Sequence, residues 1–217
     1  MASEQQQRID PRVIRTQRLL KNALFDLLEE QNYEQVTVQD IADRATVKRA
    51  TFYLHYNDKQ DLVNQCIDEL LAELSESIRN SNDDPIQFDF SSGQAHPIFI
   101  RMFKHVSERF RQYQALLVKN RIAAFTAGLL DVLHNFISEG INMTEPDDSN
   151  LSARREVVIK YVESAFLELI IWWVENQMPY KEEEMAEMLM NLSILGPYRV
   201  RPFDKIKQME NKNNPEG

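Results

Sequence analysis

Glycine is scarce in this 217-residue chain: there are five, and the first is Gly93. That excludes a glycine-rich phosphate loop or dinucleotide turn from everything before it, because both need backbone that approaches phosphate without a Cβ. The same scarcity favours helix almost throughout, since glycine is poorly tolerated in helix interiors. One cysteine, Cys66, excludes an internal disulfide framework and suits a reducing compartment. Long apolar runs are missing as well. The densest, AFLELIIWWV, contains Glu168 and falls short of the ~18–20 residues that cross a bilayer. The opening MASEQQQRID is polar and has no signal-peptide core. A soluble, cytoplasmic protein that does not engage membrane is the expectation.

Catalytic constellations are missing too. The chain has no G-x-S-x-G serine elbow and no H-E-x-x-H pair, and its histidines (55, 96, 105 and 134) are far apart. His105 and Glu108 lie at helical spacing, but a lone pair of this kind reads as a surface contact. No enzyme, metal site or cofactor is expected.

What is present is unevenly placed charge. The chain carries a net charge of −9, yet residues 1–60 hold nine Lys/Arg and nine Asp/Glu and are neutral. An acidic protein does not bind nucleic acid through its overall field, but a locally neutral module can do so with the acidic bulk held away. Within that module VKRATFYLHYNDK concentrates Lys48, Arg49, Phe52, Tyr53, His55, Tyr56 and Lys59. A helix packed on one side would gather such residues, and so would a surface built to grip an anion.

Helical periodicity organises the rest. From Pro11 to Gln31, Ile14, Leu20, Ala23, Leu24, Leu27 and Leu28 form one stripe, while Arg12, Arg15, Arg18 and Lys21 share another strip. Thr37 and Asp40 make a capping box that opens a short helix containing Ile41 and Ala45. A turn at Thr46–Val47 leads into a second short helix over 48–55. Asn57 or Asp58 with Asp61 then caps a helix running to about Arg79. Two short helices joined by a tight turn and braced by a longer one are a helix-turn-helix.

SNDDPIQFDFSSGQAHP, residues 81–97, reads as a linker. Helices are expected near 98–111, 112–119, 121–141, 153–177 and 181–195. The 153–177 helix carries a stripe of Val158, Tyr161, Val162, Ala165, Leu169, Trp172 and Trp173, widened by Phe166, Ile170 and Ile171. A helix apolar almost all round must be covered from more than one side. The last helix shows Met185, Met188, Leu189, Leu192 and Leu195, a stripe suited to a second subunit. The fold class is all-α. Its expected divisions are a disordered 1–10, a helix-turn-helix domain over 11–80, the linker 81–97, a helical domain over 98–196 and a disordered tail over 197–217.

VTVQDIADRATVKRATFYLHYNDKQDLV, with RTQRLLKNALFDLLEEQNY before it, resembles the DNA-binding domain of the TetR (tetracycline repressor) family of transcriptional regulators. The matching positions are Thr37, Ile41, Ala42, Ala45, Thr51, Phe52, Tyr53, His55, Tyr56, Lys59 and Leu62, and the likeness covers about residues 12–75. It implies a homodimer that reads a palindromic operator in double-stranded DNA and represses transcription. Lys48, Arg49 and Thr51 would face base edges. Thr37, Tyr53, His55 and Lys59 would hold phosphates. Arg12, Arg15 and Arg18 either touch the flanking backbone or form a solvated strip, and Phe52 and Tyr56 belong to the small core.

Two departures stand out. Thr46 replaces the glycine usual in the turn, so either the turn is shaped differently or that position needs no left-handed backbone. Lys48 replaces the small residue that usually opens the reading helix and cannot accept a capping bond. The resemblance further implies that the C-terminal domain dimerises through the helices at 153–177 and 181–195. It also implies a pocket there for an unidentified small-molecule effector of apolar or aromatic character. Candidate lining residues are Phe99, Met102, Phe103, Phe110, Phe125, Leu129, Phe166 and Trp172, each of which also reads as plain core. The competing function is a helical protein-interaction module without sequence-specific DNA binding.

Overall fold

The computed structural model describes residues 10–79, 94–194 and 196. The expected disorder at 1–9 and over the 197–217 tail, and the linker residues 81–93, lie outside these. Among the described residues the regular structure is entirely helical. Helix α1 spans Pro11–Glu30, α2 Val38–Arg44, α3 Arg49–Phe52 and α4 Lys59–Arg79. Then come α5 (Pro97–Glu108), α6 (Phe110–Tyr113), a π-helical turn (Gln114–Lys119), α7 (Ala123–Thr144), α8 (Arg155–Glu175) and α9 (Glu182–Ile194).

The caps explain where these helices start. Asp10 accepts from the Arg12 N–H at 2.8 Å ahead of Pro11 in the first turn of α1, a position where proline's missing N–H costs nothing. Asp58 accepts from the Asp61 N–H at 2.8 Å, and Asp61 in turn accepts from the Asn57 N–H at 2.8 Å, closing the start of α4 as the sequence suggests.

Helix α4 is the spine. Its Leu62, Val63 and Ile67 are buried in the same core as Leu20, Leu24 and Leu28 of α1. Further along, α4 packs on α5 and α7. Gly128 of α7 faces Leu71 of α4: a Cβ there would lie 2.3 Å from the Leu71 Cδ1, so that side chain would have to turn aside. One continuous core therefore joins the N-terminal helices to the C-terminal bundle.

The stripe expected on α8 is corrected by the fold. Ile159, Phe166, Ile170, Trp173 and Val174 face the core, whereas Tyr161 and Trp172 are exposed (67% and 42%). Trp173 alone of the expected stripe is buried; Val158, Val162, Ala165 and Leu169 are intermediate. On α9, Met185 and Leu189 are buried within this chain rather than left for a second subunit, whereas Met188 and Leu192 of the same stripe face outward. Both helices thus carry a second apolar edge that stands exposed among the described residues. Leu195 lies outside the described residues.

Candidate nucleic-acid interface

The reading elements are held from beneath by two rings. Phe52 and Tyr56 are buried in contact, centroids 5.6 Å apart, so α3 has one face fixed in the core and the rest free. At the start of α2 the capping box forms as the sequence predicts. The Thr37 hydroxyl accepts from the Asp40 N–H at 3.1 Å, and the Asp40 carboxylate accepts from the Thr37 N–H at 2.9 Å. Hydrogen bonds from the Thr37 hydroxyl and then its backbone hold the Asp40 carboxyl below its usual range. At the other end Arg44 donates twice to Glu30, at 3.0 and 2.6 Å, tying α2 to α1.

The turn answers the question raised by Thr46. Its φ is 58°, so the backbone is left-handed despite the β-branched side chain. The Val47 N–H donates to the Ala42 carbonyl and the Thr46 N–H to that of Asp43, at 2.9 and 3.0 Å. These are the two bonds of a Schellman motif, with Thr46 where glycine ordinarily sits. The turn keeps its usual geometry and carries the strain.

Lys48 caps α3 with its backbone only, accepting no N–H through its side chain. Its ammonium and the Arg49 guanidinium are exposed and form no ion pair among the described residues. Arg49 donates to the Tyr53 hydroxyl at 3.2 Å and sits 5.6 Å from the centre of its ring, so the pair forms one pre-positioned edge. Thr51 and His55 are half-buried on a neighbouring edge. Helix α3 is one turn shorter than the 48–55 expected; Tyr53 to His55 continue as turn.

Lys59 is placed differently from the other cations. Its ammonium donates to the carbonyls of Tyr33, Glu34 and Val36 at 2.8, 3.2 and 2.8 Å and lies 4.4 Å from the centre of the Tyr33 ring. It therefore fastens the α1–α2 connection to the start of α4. The sequence motif also passes over Ala50 and Leu54, both exposed on α3 and its following turn, Leu54 at 81%. Their i, i+4 spacing is the signal that points to them.

The residues expected to line an effector pocket fall into separate groups. Phe99 and Phe166 pack together with Phe136. Phe103 meets Trp173 edge-on, and Phe125 meets Tyr113. Met102 and Leu129 are buried, and Phe110 is half-buried against the same core. Trp172 joins none of these: it stacks on Tyr180 at the surface. A shallow recess runs along α8 beside Val157, Tyr161 and Ala165, on the outward edge.

Among the described residues no cluster of His, Cys, Asp and Glu is placed to hold a metal ion, and no helix is long and apolar enough to cross a membrane.

Helix-turn-helix geometry joined to a helical bundle defines a transcriptional regulator, and comparison with known proteins agrees. Residues 21–66 match the family described as bacterial regulatory proteins, tetR family, and residues 93–194 match a transcriptional regulator C-terminal region of the same family. The chain belongs to the TetR family of transcriptional regulators. It is 40% identical over 72 residues to the HTH-type transcriptional regulator YxbF of Bacillus subtilis, spanning 33% of this chain and 19% of that protein. It is 32% identical over 59 residues to DhaS, the dhaKLM operon transcriptional activator of Lactococcus lactis, spanning 27% of this chain and 32% of that one. The chain thus aligns with less than a third of either relative's length. A TetR regulator structure from Streptococcus agalactiae superposes with a TM-score of 0.64 at 20% identity, covering 85% of this chain and 96% of that one, and so shares the fold.

Proposed function

We propose that this regulator binds a palindromic operator as a homodimer and represses transcription until a small-molecule effector releases it. The observation that carries the reading is the exposed Lys48/Arg49/Tyr53 edge. From Thr46 to Asn57 there is no acidic residue, and Lys48 and Arg49 have no anionic partner among the described residues, while Arg44 and Lys21 are already paired. Free cations beside an aromatic, on a helix short enough for a groove roughly 12 Å wide, suit base edges and phosphates together. Lys48, Arg49 and Thr51 are assigned to bases, and Thr37, Tyr53 and His55 to phosphates. Lys59 would reach a phosphate only with an ammonium already shared among three carbonyls.

The dimer is assigned to the outward edges of α8 and α9, where Tyr161, Trp172, Met188 and Leu192 stand exposed. A second copy offering the same edges closes with two-fold symmetry, matching a palindrome. The effector is assigned to the apolar interior between α5, α7 and α8. Release then requires it to bind the DNA-incompetent arrangement more tightly than the competent one.

The test is selection of bound sequences from random duplex DNA by the purified protein at near-physiological salt. Recovery of a palindrome with half-sites about one helical turn apart is expected. Recovery of no motif removes this reading in favour of a protein-interaction module.

A further inference from the structure

Helix α3 and its following turn present three adjacent edges, each defined by side chains four residues apart. Phe52 and Tyr56 form the buried one, and Arg49 and Tyr53 the polar exposed one. Between Arg49 and Thr51 lies a third edge made of Ala50 and Leu54, and it is apolar. Leu54 is 81% exposed, more than any other large apolar side chain among the described residues, and Ala50 is exposed with it. Leu54 contributes nothing to the core of the free protein. An aliphatic side chain this open gains free energy only when something apolar covers it.

What covers it has to tolerate the neighbours. Lys48 and Arg49 stand immediately before Ala50, and the nearest acidic residues in the chain are Asp43 and Asp58, outside the α3 edge. A partner of opposite charge is therefore a polyanion, and one with an apolar feature recessed among its charges. In the major groove of DNA that feature is the 5-methyl group of thymine, the apolar mark that sets T·A apart. Alanine and leucine side chains four residues apart would enclose one methyl from two sides.

We propose that the Ala50–Leu54 edge reads a thymine methyl in each half-site, so that Leu54 determines specificity beside the cationic Arg49–Tyr53 edge. The inference rests on the operator reading above. The alternative apolar surface on DNA is the deoxyribose of the backbone, and it can be told apart because sugar packing is indifferent to the base methyl.

The experiment uses the full-length protein and the operator recovered by sequence selection, made synthetically so that thymine is the only source of a 5-methyl. Each thymine of the half-site is replaced in turn by deoxyuridine, in both half-sites at once, and affinity is measured for the wild type and for Leu54→Ala. The proposal expects one position at which uracil weakens wild-type binding several-fold. At that position Leu54→Ala should bind the natural operator about as weakly as the wild type binds the uracil one, and be indifferent to the methyl. Because Leu54 is exposed, the variant's Tm should match the wild type, which separates an effect on binding from an effect on folding. Wild-type binding indifferent to uracil everywhere overturns the proposal, as does a Leu54→Ala protein that stays as sensitive as the wild type. If Leu54→Ala weakens binding while no uracil does, the leucine packs on sugar and the methyl proposal fails. A wild type with no sequence preference at all removes the operator reading itself.

Discussion

The backbone N–H of Tyr33, in the turn between α1 and α2, donates to the Oδ1 of Asn120, in the loop between the π-helical turn and α7, at 2.7 Å. The amide of Asn120 meanwhile donates to the carbonyls of Leu28 and Ala115, at 3.2 and 2.8 Å. One side chain thus satisfies backbone groups on both sides of the junction between the helix-turn-helix and the bundle. Arg111 adds bonds to Glu29 and Asp26 at 2.6 and 2.7 Å, a further link between the C-terminal end of α1 and α6. The π-helical turn packs on both α1 and α8 and so lies between the bundle and the helix that carries α2 and α3.

Asn120→Ala should therefore loosen that junction. It leaves a half-buried Tyr33 N–H and Leu28 carbonyl without their partner, a cost of about 1–3 kcal/mol. A lowered midpoint in urea unfolding followed by circular dichroism is the expected result. The same midpoint as the wild type would show that these three bonds add nothing net.

Thr46→Gly should act in the opposite direction. A left-handed φ costs an L-residue on the order of 1–2 kcal/mol, and glycine returns part of that through unfolded-chain entropy. The net expectation is a gain of about 1 kcal/mol, read as a higher Tm. The exposed Thr46 side chain supplies no packing to lose.

How far the sequence can be read depends on the range of the interactions. The Thr37–Asp40 box and the Asp58–Asp61 cap act across three residues, and both appear as expected. The Thr46 turn is ambiguous from sequence because its two Schellman bonds are compatible with threonine only when the flanking helices enforce the backbone. The motif assigns Lys59 to phosphate, but its carbonyl partners lie 23 to 26 residues earlier in the chain, beyond any local pattern. On α8 the apolar residues run almost all the way round, so periodicity does not choose which face meets the core. The same ambiguity hides the environment of Trp172.

Acid should weaken the fold partly through His105. Burial between α4 and α5 lowers its pKa from the ordinary 6.5, outweighing the attraction of Glu73. The folded state then resists a proton that the unfolded chain accepts, so stability falls as the pH drops below about 6.5. Unfolding free energy measured from pH 7.5 to 5 should show this decline, and His105→Phe should flatten it over that window. At lower pH the decline continues through Glu163. Burial raises its pKa, but hydrogen bonds from Lys160 and His134 more than offset this, and the carboxyl ends below its usual range. Its contribution is present above its ordinary 4.5 and lost as pH falls through the lowered value.

The outward edges of α8 and α9 predict a self-association that charge would break. Tyr161→Glu with Leu192→Glu places carboxylates on an apolar surface while leaving the core untouched, since both side chains are exposed in the single chain. Sedimentation should show a wild-type dimer and a folded monomeric variant with unchanged helix content. A variant that stays dimeric would move the interface elsewhere.

Lys48 and Arg49 differ in what their removal should do, and salt separates them. If Lys48 meets a phosphate as well as a base, Lys48→Ala weakens binding to every sequence alike. It should also reduce the slope of log affinity against log salt by ~0.9 for each phosphate no longer neutralised. Arg49 donates to the Tyr53 hydroxyl; if it meets a guanine edge as proposed, Arg49→Ala should weaken the operator by roughly ten- to a hundred-fold, equivalent to about 1–3 kcal/mol. Nonspecific DNA should notice it far less, and the recovered motif should relax at one position. Tyr53→Phe removes the hydroxyl that Arg49 donates to and keeps the ring. If the hydroxyl positions the guanidinium, this variant reproduces part of the specificity loss; if Tyr53 instead holds phosphate, it changes overall affinity and leaves the motif intact. Titrations of operator and random duplex at several salt concentrations distinguish the two outcomes directly.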